Sequence, residues 1–109
     1  MAGKIARGEI RLYRFPRPDK QRPVLVLTRE SAISYLSAVT VAPITSTVRD
    51  VPSEVLLTEA DGMKGPCAVN LHNIITVSKA HIGRKVAVLR AERLREVCRA
   101  LGFALECSS

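Results

Sequence analysis

The chain has 109 residues, enough for one domain with one core, and 47% of them are hydrophobic, so a packed interior is expected. The formal net charge is +7, and this surplus of Lys and Arg favours a polyanionic partner, either nucleic acid or an acidic protein segment. Only 4% of the residues are aromatic, which argues against a surface that holds single strands mainly by stacking bases on rings. The N-terminus has no apolar signal core and no apolar run has the length of a membrane span, so we expect a cytoplasmic protein.

The sequence offers few metal ligands. The three cysteines, Cys67, Cys98 and Cys107, form no C-x-x-C pair, and His72 and His81 are nine residues apart. These spacings argue against a disulfide framework and a zinc site, so we expect reduced thiols, no metal and no cofactor. A Gly-rich phosphate loop and a G-x-S-x-G elbow are also absent from the sequence. Any catalysis should therefore use Arg, Ser or Thr and at most one His.

The hydrophobic pattern predicts a series of strands. Alternating or continuous apolar runs rich in β-branched residues are typical of strands. We predict strands at 8–15, 23–28, 39–45, 53–57, 67–77 and 85–89, a short helix or wide turn at 29–36, and a polar turn at 59–66. Pro43 predicts an edge position or a bulge in the third strand.

The apolar period changes to that of a helix after residue 90. The apolar residues at helical spacing are Leu94, Val97, Cys98, Leu101 and Leu105. We predict a C-terminal helix at about 91–105 that packs on a β-rich part at about 6–90, all within one domain of residues 1–109. The expected fold is mainly β with a C-terminal helix, as a small, curved, mostly antiparallel sheet or part-open barrel. Dimerisation would enlarge the core and cover strand edges.

Basic residues are concentrated near the N-terminus. Because apolar residues are interleaved with them, they predict a structured basic strand and loop rather than a tail. These residues are Arg7, Arg11, Arg14, Arg17, Lys20 and Arg22. Arg22 directly precedes a buried strand, so its guanidinium can bind a phosphate while the strand holds its backbone; the alternative is a solvated loop charge.

Two further sets of polar residues are candidates for a site. Thr45, Ser46 and Thr47 end the third strand, where hydroxyls can donate to phosphate oxygens, although they are also ordinary turn residues. In a continuous strand, Asn70 and His72 share one face, while Val69, Leu71 and Asn73 point to the other. Imidazole exchanges protons near neutral pH, so His72 is either a proton donor or acceptor or simply a sheet residue.

Five segments carry a resemblance when taken together, in this order and spacing. They are RGEI at 7–10, RPVLVL at 22–27, VAPITS at 41–46, CAVNLHN at 67–73 and TVSK at 76–79. With these segments the chain resembles the MazF/PemK family, the endoribonuclease toxins of type II toxin–antitoxin pairs, from about Ala6 to the C-terminal helix.

The resemblance implies a homodimer of SH3-like barrels, of the MazF/PemK/CcdB type, that cuts single-stranded mRNA at a short sequence without a metal. It implies attack of a ribose 2′-OH on the adjacent phosphate, which leaves a 2′,3′-cyclic phosphate and a 5′-OH. The family's catalytic arginine corresponds to Arg22 and its catalytic threonine to Thr45. The implied partner is a cognate acidic antitoxin.

The chain departs from the family pattern at two places. The loop before Arg22 is shorter than usual and lacks G-x-E-Q; in the family it binds and selects RNA, so Arg17, Lys20 and Gln21 are expected RNA contacts, together with Ser46, Thr47 and Asn70. Many relatives have an acid at the position of His72, and some have an arginine at that of Asn70.

Physical chemistry suggests a division of roles. Because Arg stays protonated, Arg22 is better suited to neutralising the charge on a pentacoordinate phosphate than to removing a proton. Thr45 can orient or donate, and His72 is the candidate suited to proton transfer. A non-catalytic toxin of the same fold that poisons DNA gyrase is the alternative function, and a regulator that only binds nucleic acid is a third. The presence of Arg22 and Thr45 favours the enzyme.

Overall fold

The computed structural model describes residues 4–16 and 20–107. Its strands are β1 (Glu9–Arg14), β2 (Gln21–Val26), β3 (Ala38–Thr45), β4 (Glu54–Leu57), β5 (Cys67–Asn70), β6 (Ile75–Ser78) and β7 (Ile82–Val88). Its α-helices are α1 (Glu30–Ile33) and α2 (Ala91–Leu105), and short 3-10 helices occur at Glu59–Asp61 and Lys79–His81.

All the strand pairs are antiparallel, in the order β4-β5-β3-β2-β1-β7, and β6 also pairs with β3. The prediction of a mainly antiparallel β fold with a C-terminal helix is confirmed. Within the described part of the chain β4 and β7 lie at opposite ends of the sheet, so strand pairing does not close it into a barrel.

The strand predicted at 67–77 is two strands, β5 and β6, that follow each other along β3. Ile44 pairs with Val69 and Val41 pairs with Ile75, so three steps along β3 lie opposite six steps along the other chain. The chain therefore leaves β3 at residues 71–74, although Leu71 stays buried and its N–H donates to the carbonyl of Ser53 at 2.9 Å. The prediction of one continuous strand is wrong because β3 has too few residues between Val41 and Ile44 to pair with residues 71–74.

Pro43 lies in a central strand, paired with Val24 of β2, so the expected edge position is wrong for the strand as a whole. On its other side, β3 pairs with β6 as far as Val41 and with β5 from Ile44 onward. A proline is tolerated in such a gap because it has no N–H to donate to a ladder.

The interior consists of two apolar clusters on opposite faces of β2. Leu25 and Leu27 belong to the cluster that α2 covers, whereas Val24 and Val26 belong to the other. Both faces of this strand are buried, as its continuous apolar run predicted. Burying a side chain of this size stabilises the fold by about 1.5–3 kcal/mol, so β2 is a rigid support for the residues at its start.

Helix α2 has the predicted bounds, but the face that it buries is rotated from the predicted one. Val97 and Ala100 are buried, and Leu94, Leu101 and Ala104 pack against the core. Cys98 and Leu105, which were expected on the apolar face, are exposed. The buried face thus includes the small side chains of Ala100 and Ala104, which the prediction from large apolar residues did not take into account.

Two of the basic residues near the N-terminus have structural contacts. Arg11 is buried, with Nε donating to Oε1 of Glu9 at 2.8 Å and Nη1 donating to the carbonyl of Gly83 at 2.9 Å. Arg7 donates to the carbonyl of Leu27. Arg11 lies on a strand, as predicted, but its guanidinium is buried in an ion pair with the carboxylate of Glu9 and so does not form part of a basic surface.

Candidate active site

Two adjoining clefts lie where β2 begins and where β3 and β5 end. The central cleft, about 610 Å³, is lined by Phe15, Arg22, Pro43, Ile44, Thr45, Thr47, Arg49, Asn70, His72 and Asn73. The flanking cleft, about 790 Å³, shares Arg22, Ile44 and Thr45 with it. The structure thus brings together Arg22, Thr45 and His72, the three residues singled out as catalytic candidates.

Arg22 is positioned by its strand. It lies near the start of β2, opposite Tyr13 of β1, and its side chain is exposed. The next residues of β2 enter the buried interior from Val24 onward, which fixes the backbone at Arg22. A guanidinium on such a support can reach a bound phosphate with little loss of conformational freedom.

Thr45 is the last residue of β3 and is half-buried. Its Oγ1 accepts a hydrogen bond from the N–H of Thr47 at 3.0 Å, which turns the chain out of the strand. The hydroxyl hydrogen of Thr45 can still be donated to a ligand. After this turn, Ser46 lines the flanking cleft and Thr47 the central one.

Asn70 and His72 share the central cleft for a different reason from the one predicted. Oδ1 of Asn70 accepts from the N–H of His72 at 3.1 Å, an Asx turn that ends β5. His72 therefore lies in the loop between β5 and β6 rather than on a strand face. Asn73, which was expected to point the other way, lines the same cleft. Asn in a turn was the sequence signal that could have indicated this break.

The ring of His72 is held by Ser53, whose Oγ lies 2.5 Å from Nδ1. Ser53 is buried, immediately before β4, so it fixes one edge of an otherwise exposed imidazole. This hydrogen bond uses Nδ1, and Nε2 is the nitrogen on the opposite edge of the ring. The hydrogen bond that one ring nitrogen forms determines whether the other nitrogen of the neutral ring carries a proton.

Arg49 reaches the central cleft on a loop that Glu54 organises. Oε1 of Glu54 accepts from the N–H of Arg49 at 3.0 Å and from that of Asp50 at 3.1 Å, and Asp50 has a positive φ of 56°. A non-glycine residue in the left-handed region is strained and needs such support. Sequence reasoning missed Arg49, Ser53 and Glu54, because nothing local marks them as neighbours of Asn70.

The two clefts are positively charged. Arg22 and Arg49 line the central cleft, and Lys20, Lys64 and Arg84 line the flanking one, whereas no carboxylate lines either within the described residues. Gln21 also lines the flanking cleft, and Arg17 lies outside the described residues. A cationic surface free of acidic groups concentrates polyanions.

Among residues 4–16 and 20–107, no three side chains of His, Cys, Asp or Glu are grouped so as to hold a metal ion. None of the helices described there has the length and apolarity that a membrane crossing requires.

The antiparallel fold and its cationic clefts at strand ends define a candidate nucleic-acid-binding protein. Residues 6–105 match the family model described as the PemK-like, MazF-like toxin of type II toxin–antitoxin systems, so the chain belongs to this family. Endoribonuclease MazF3 of Mycobacterium tuberculosis is 40% identical over 88 residues, which cover 81% of this chain and 85% of MazF3.

Solved structures agree with this assignment. The Mycobacterium tuberculosis toxin MazF-mt6 superposes with a TM-score of 0.84 at 36% identity, covering 93% of this chain and 99% of that one. A mycobacterial endoribonuclease solved in complex with its cognate antitoxin has a TM-score of 0.86 at 22% identity, covering 97% and 99% of the two chains. At that identity the second structure shows the same fold.

Proposed function

We propose that this chain is the endoribonuclease toxin of a type II toxin–antitoxin pair and that it cuts single-stranded mRNA in the cytoplasm at a short sequence, without a metal. Its relative MazF3 is named an endoribonuclease, which favours this function over gyrase poisoning. The observation that carries the proposal is the meeting of Arg22, Thr45 and His72 in one cationic cleft, although they are far apart in the chain.

In the proposed reaction the ribose 2′-oxygen attacks the adjacent phosphorus, and the bond from phosphorus to the 5′-oxygen breaks. Arg22 neutralises the charge that builds on the phosphate oxygens, where fixed donors contribute most. The Thr45 hydroxyl donates to one of these oxygens. The 2′-OH proton must be removed and the leaving 5′-oxygen must gain one, and His72 is the group in the cleft suited to one of these transfers.

Ser53 would hold His72 in the orientation that proton transfer requires. If Nδ1 carries a proton and donates to the Ser53 hydroxyl, then Nε2 of the neutral ring can act as a base, and Nε2 of the doubly protonated ring can act as an acid. If the Ser53 hydroxyl instead donates to Nδ1, the single proton of the neutral ring is on Nε2, and neutral imidazole is too weak an acid to donate it. Ser53 is thus a positioning residue, buried and in contact with the imidazole.

The remaining cleft residues would bind RNA. Lys20, Gln21 and Ser46 would contact it from the flanking cleft, and Thr47 and Asn70 from the central one. Arg17, which precedes β2 in the sequence, is proposed as a further contact.

An acidic antitoxin segment is the proposed protein partner. The solved mycobacterial complex pairs a toxin of this fold with its antitoxin. A flexible acidic tail is complementary to the cations that line the two clefts and would compete with RNA for them. We further propose that residues 1–109 form a single toxin domain that acts as a homodimer.

The test is incubation of the purified protein with a long RNA in excess EDTA, followed by analysis of the ends. We expect cleavage to persist and to leave a 2′,3′-cyclic phosphate, or the 3′-phosphate from its opening, with a 5′-OH. A 2′-deoxyribose at the scissile nucleotide should block cleavage. Products with a 5′-phosphate, or loss of activity in EDTA, would contradict the mechanism.

A further inference from the structure

The flanking cleft continues from the candidate active site. It shares Arg22 and Thr45 with the central cleft and extends from them toward Lys64, in the turn before β5, and Arg84 of β7. If the scissile phosphate lies between Arg22 and Thr45, the flanking cleft offers a continuous path for the RNA on one side of the cut.

The chemistry of the flanking cleft suits nucleotides. Lys64 and Arg84 are exposed, and neither forms an ion pair within the described part of the chain. Apolar side chains of Leu12, Met63 and Val86 line the same cleft. Cations can bind phosphates while an apolar floor contacts base or sugar faces.

The loop that carries Lys64 is held in place before any ligand arrives. The N–H of Gly62 donates to the carbonyl of Glu59 at 3.0 Å, and Gly62 has a φ of 90°, which favours glycine. A Cβ at Gly62 would also lie 2.9 Å from Cβ of Ala87 in β7. Preorganisation of this kind lowers the entropic cost of binding.

We infer that Lys64 and Arg84 form a phosphate-binding subsite for one flank of the RNA, on one side of the scissile bond, and so determine the length of RNA that is cut efficiently. RNA is favoured over an acidic peptide because the subsite is continuous with Arg22 and Thr45, where the scissile phosphate would lie. This inference rests on the proposed endoribonuclease function and assigns to it two residues outside the catalytic set.

The experiment uses an oligoribonucleotide that contains a cut site mapped on a long RNA, shortened stepwise from its 5′ or its 3′ end. For the wild-type protein, shortening one end should raise KM about tenfold while kcat stays unchanged, because a binding contact is lost without loss of transition-state stabilisation. The double variant Lys64→Ala/Arg84→Ala should show this higher KM on the full-length oligonucleotide. Shortening that same end should then have little further effect on the variant.

Salt dependence gives a second readout. The affinity for a non-cleavable oligonucleotide, with 2′-deoxyribose at the cut, should depend less steeply on salt in the double variant, by roughly 0.7 in logarithmic slope per lost phosphate contact. The matched control is Arg95→Ala/Arg99→Ala, which removes two exposed cations from α2, outside both clefts. This control should retain the wild-type KM and its dependence on oligonucleotide length.

Each outcome is decisive. If the wild-type protein cuts no RNA, the proposed function fails; if it cuts and the double variant matches it at every length, the function stands and the subsite is overturned. If KM of the double variant rose equally on shortening of either end, the two cations would act by general attraction of charge, and the subsite would also be overturned. If the double variant cut RNA as wild type does but bound a polyglutamate peptide more weakly, the flanking cleft would be assigned to an acidic protein segment instead.

Discussion

Asp61 connects the loop that carries Lys64 to helix α2, and its replacement should destabilise the fold in a pH-dependent way. Oδ1 of Asp61 accepts from Nε of Arg93 at 3.1 Å, Oδ2 accepts from the N–H of Thr58 at 3.0 Å, and the side chain is only 5% exposed. Burial acts to raise the pKa of Asp61, but the N–H of Thr58 and the Arg93 guanidinium together hold it below its ordinary value.

The structure sets the expected size of the effect. Asp61→Ala removes the capping interaction with Thr58, which contributes about 1 kcal/mol, and a charge-assisted hydrogen bond to Arg93, which contributes about 1.5–3 kcal/mol. In the variant, Arg93 still donates to the carboxylate of Glu96 at 2.6 Å. We therefore take the lower value, about 1.5 kcal/mol, for the lost hydrogen bond between Asp61 and Arg93. We expect a loss of about 2.5 kcal/mol in the free energy of unfolding, or on the order of 10 °C in Tm. Asp61→Asn keeps one acceptor oxygen and should lose about half as much.

The dependence on pH follows from the lowered pKa. Because the pKa of Asp61 is lower in the folded than in the unfolded state, its charge stabilises the fold above about pH 4, and this contribution is lost as pH falls through the folded-state value. Urea unfolding, followed by far-ultraviolet circular dichroism at one protein concentration, should therefore show the widest gap between wild type and Asp61→Asn at neutral pH. The gap should narrow below about pH 4.

The difference between the two proteins is the diagnostic quantity. Burial also acts to raise the pKa of Glu9, and its contacts with Arg11, the N–H of Ala6 and Lys85 outweigh this and lower it, so acid destabilises wild type and variant alike through Glu9. A gap that stays constant down to about pH 3, or an Asp61→Ala protein within about 0.5 kcal/mol of wild type, would refute the reasoning.

Substitutions at four positions in or beside the central cleft give further predictions. Arg22→Ala should slow cleavage of a mapped oligoribonucleotide about a hundredfold or more, with an unchanged circular dichroism spectrum because the side chain is exposed; near-wild-type turnover would exclude its proposed role. Thr45→Ala should slow cleavage, and Thr45→Ser, which keeps the hydroxyl, should restore most of the rate. A cleavage rate of Thr45→Ala equal to that of wild type would assign Thr45 to the turn alone. His72→Ala should flatten one limb of the pH–rate profile while RNA affinity is retained, and wild-type rates at every pH would make it only a loop residue. Glu54→Ala should raise KM by releasing the loop of Arg49, whereas Glu54→Gln keeps an acceptor oxygen and should not; a rise of the same size in both would contradict this.

The sequence by itself determined the parts of the fold that depend on local periodicity. Continuous apolar runs predicted strands close to β2 and β3, and the change to a 3.6-residue period predicted α2 with its observed bounds. Arg22 and Thr45 could be selected because each stands at the end of an apolar run, a position that is visible without knowledge of the fold. The family resemblance also followed from short segments in a set order.

Only the tertiary structure decided how distant segments meet. The register of β3 against both β5 and β6 keeps residues 71–74 from pairing with β3, and the pairing of β4 with β5 places His72 beside Ser53, nineteen residues away in the chain. The burial of Arg11 and the approach of Arg49, Lys64 and Arg84 to the clefts likewise depend on partners from other elements. The spacing of apolar residues in the sequence indicates which face of a single helix or strand is apolar. The position of a polar side chain depends instead on hydrogen-bond and charge partners that lie on other elements of the fold.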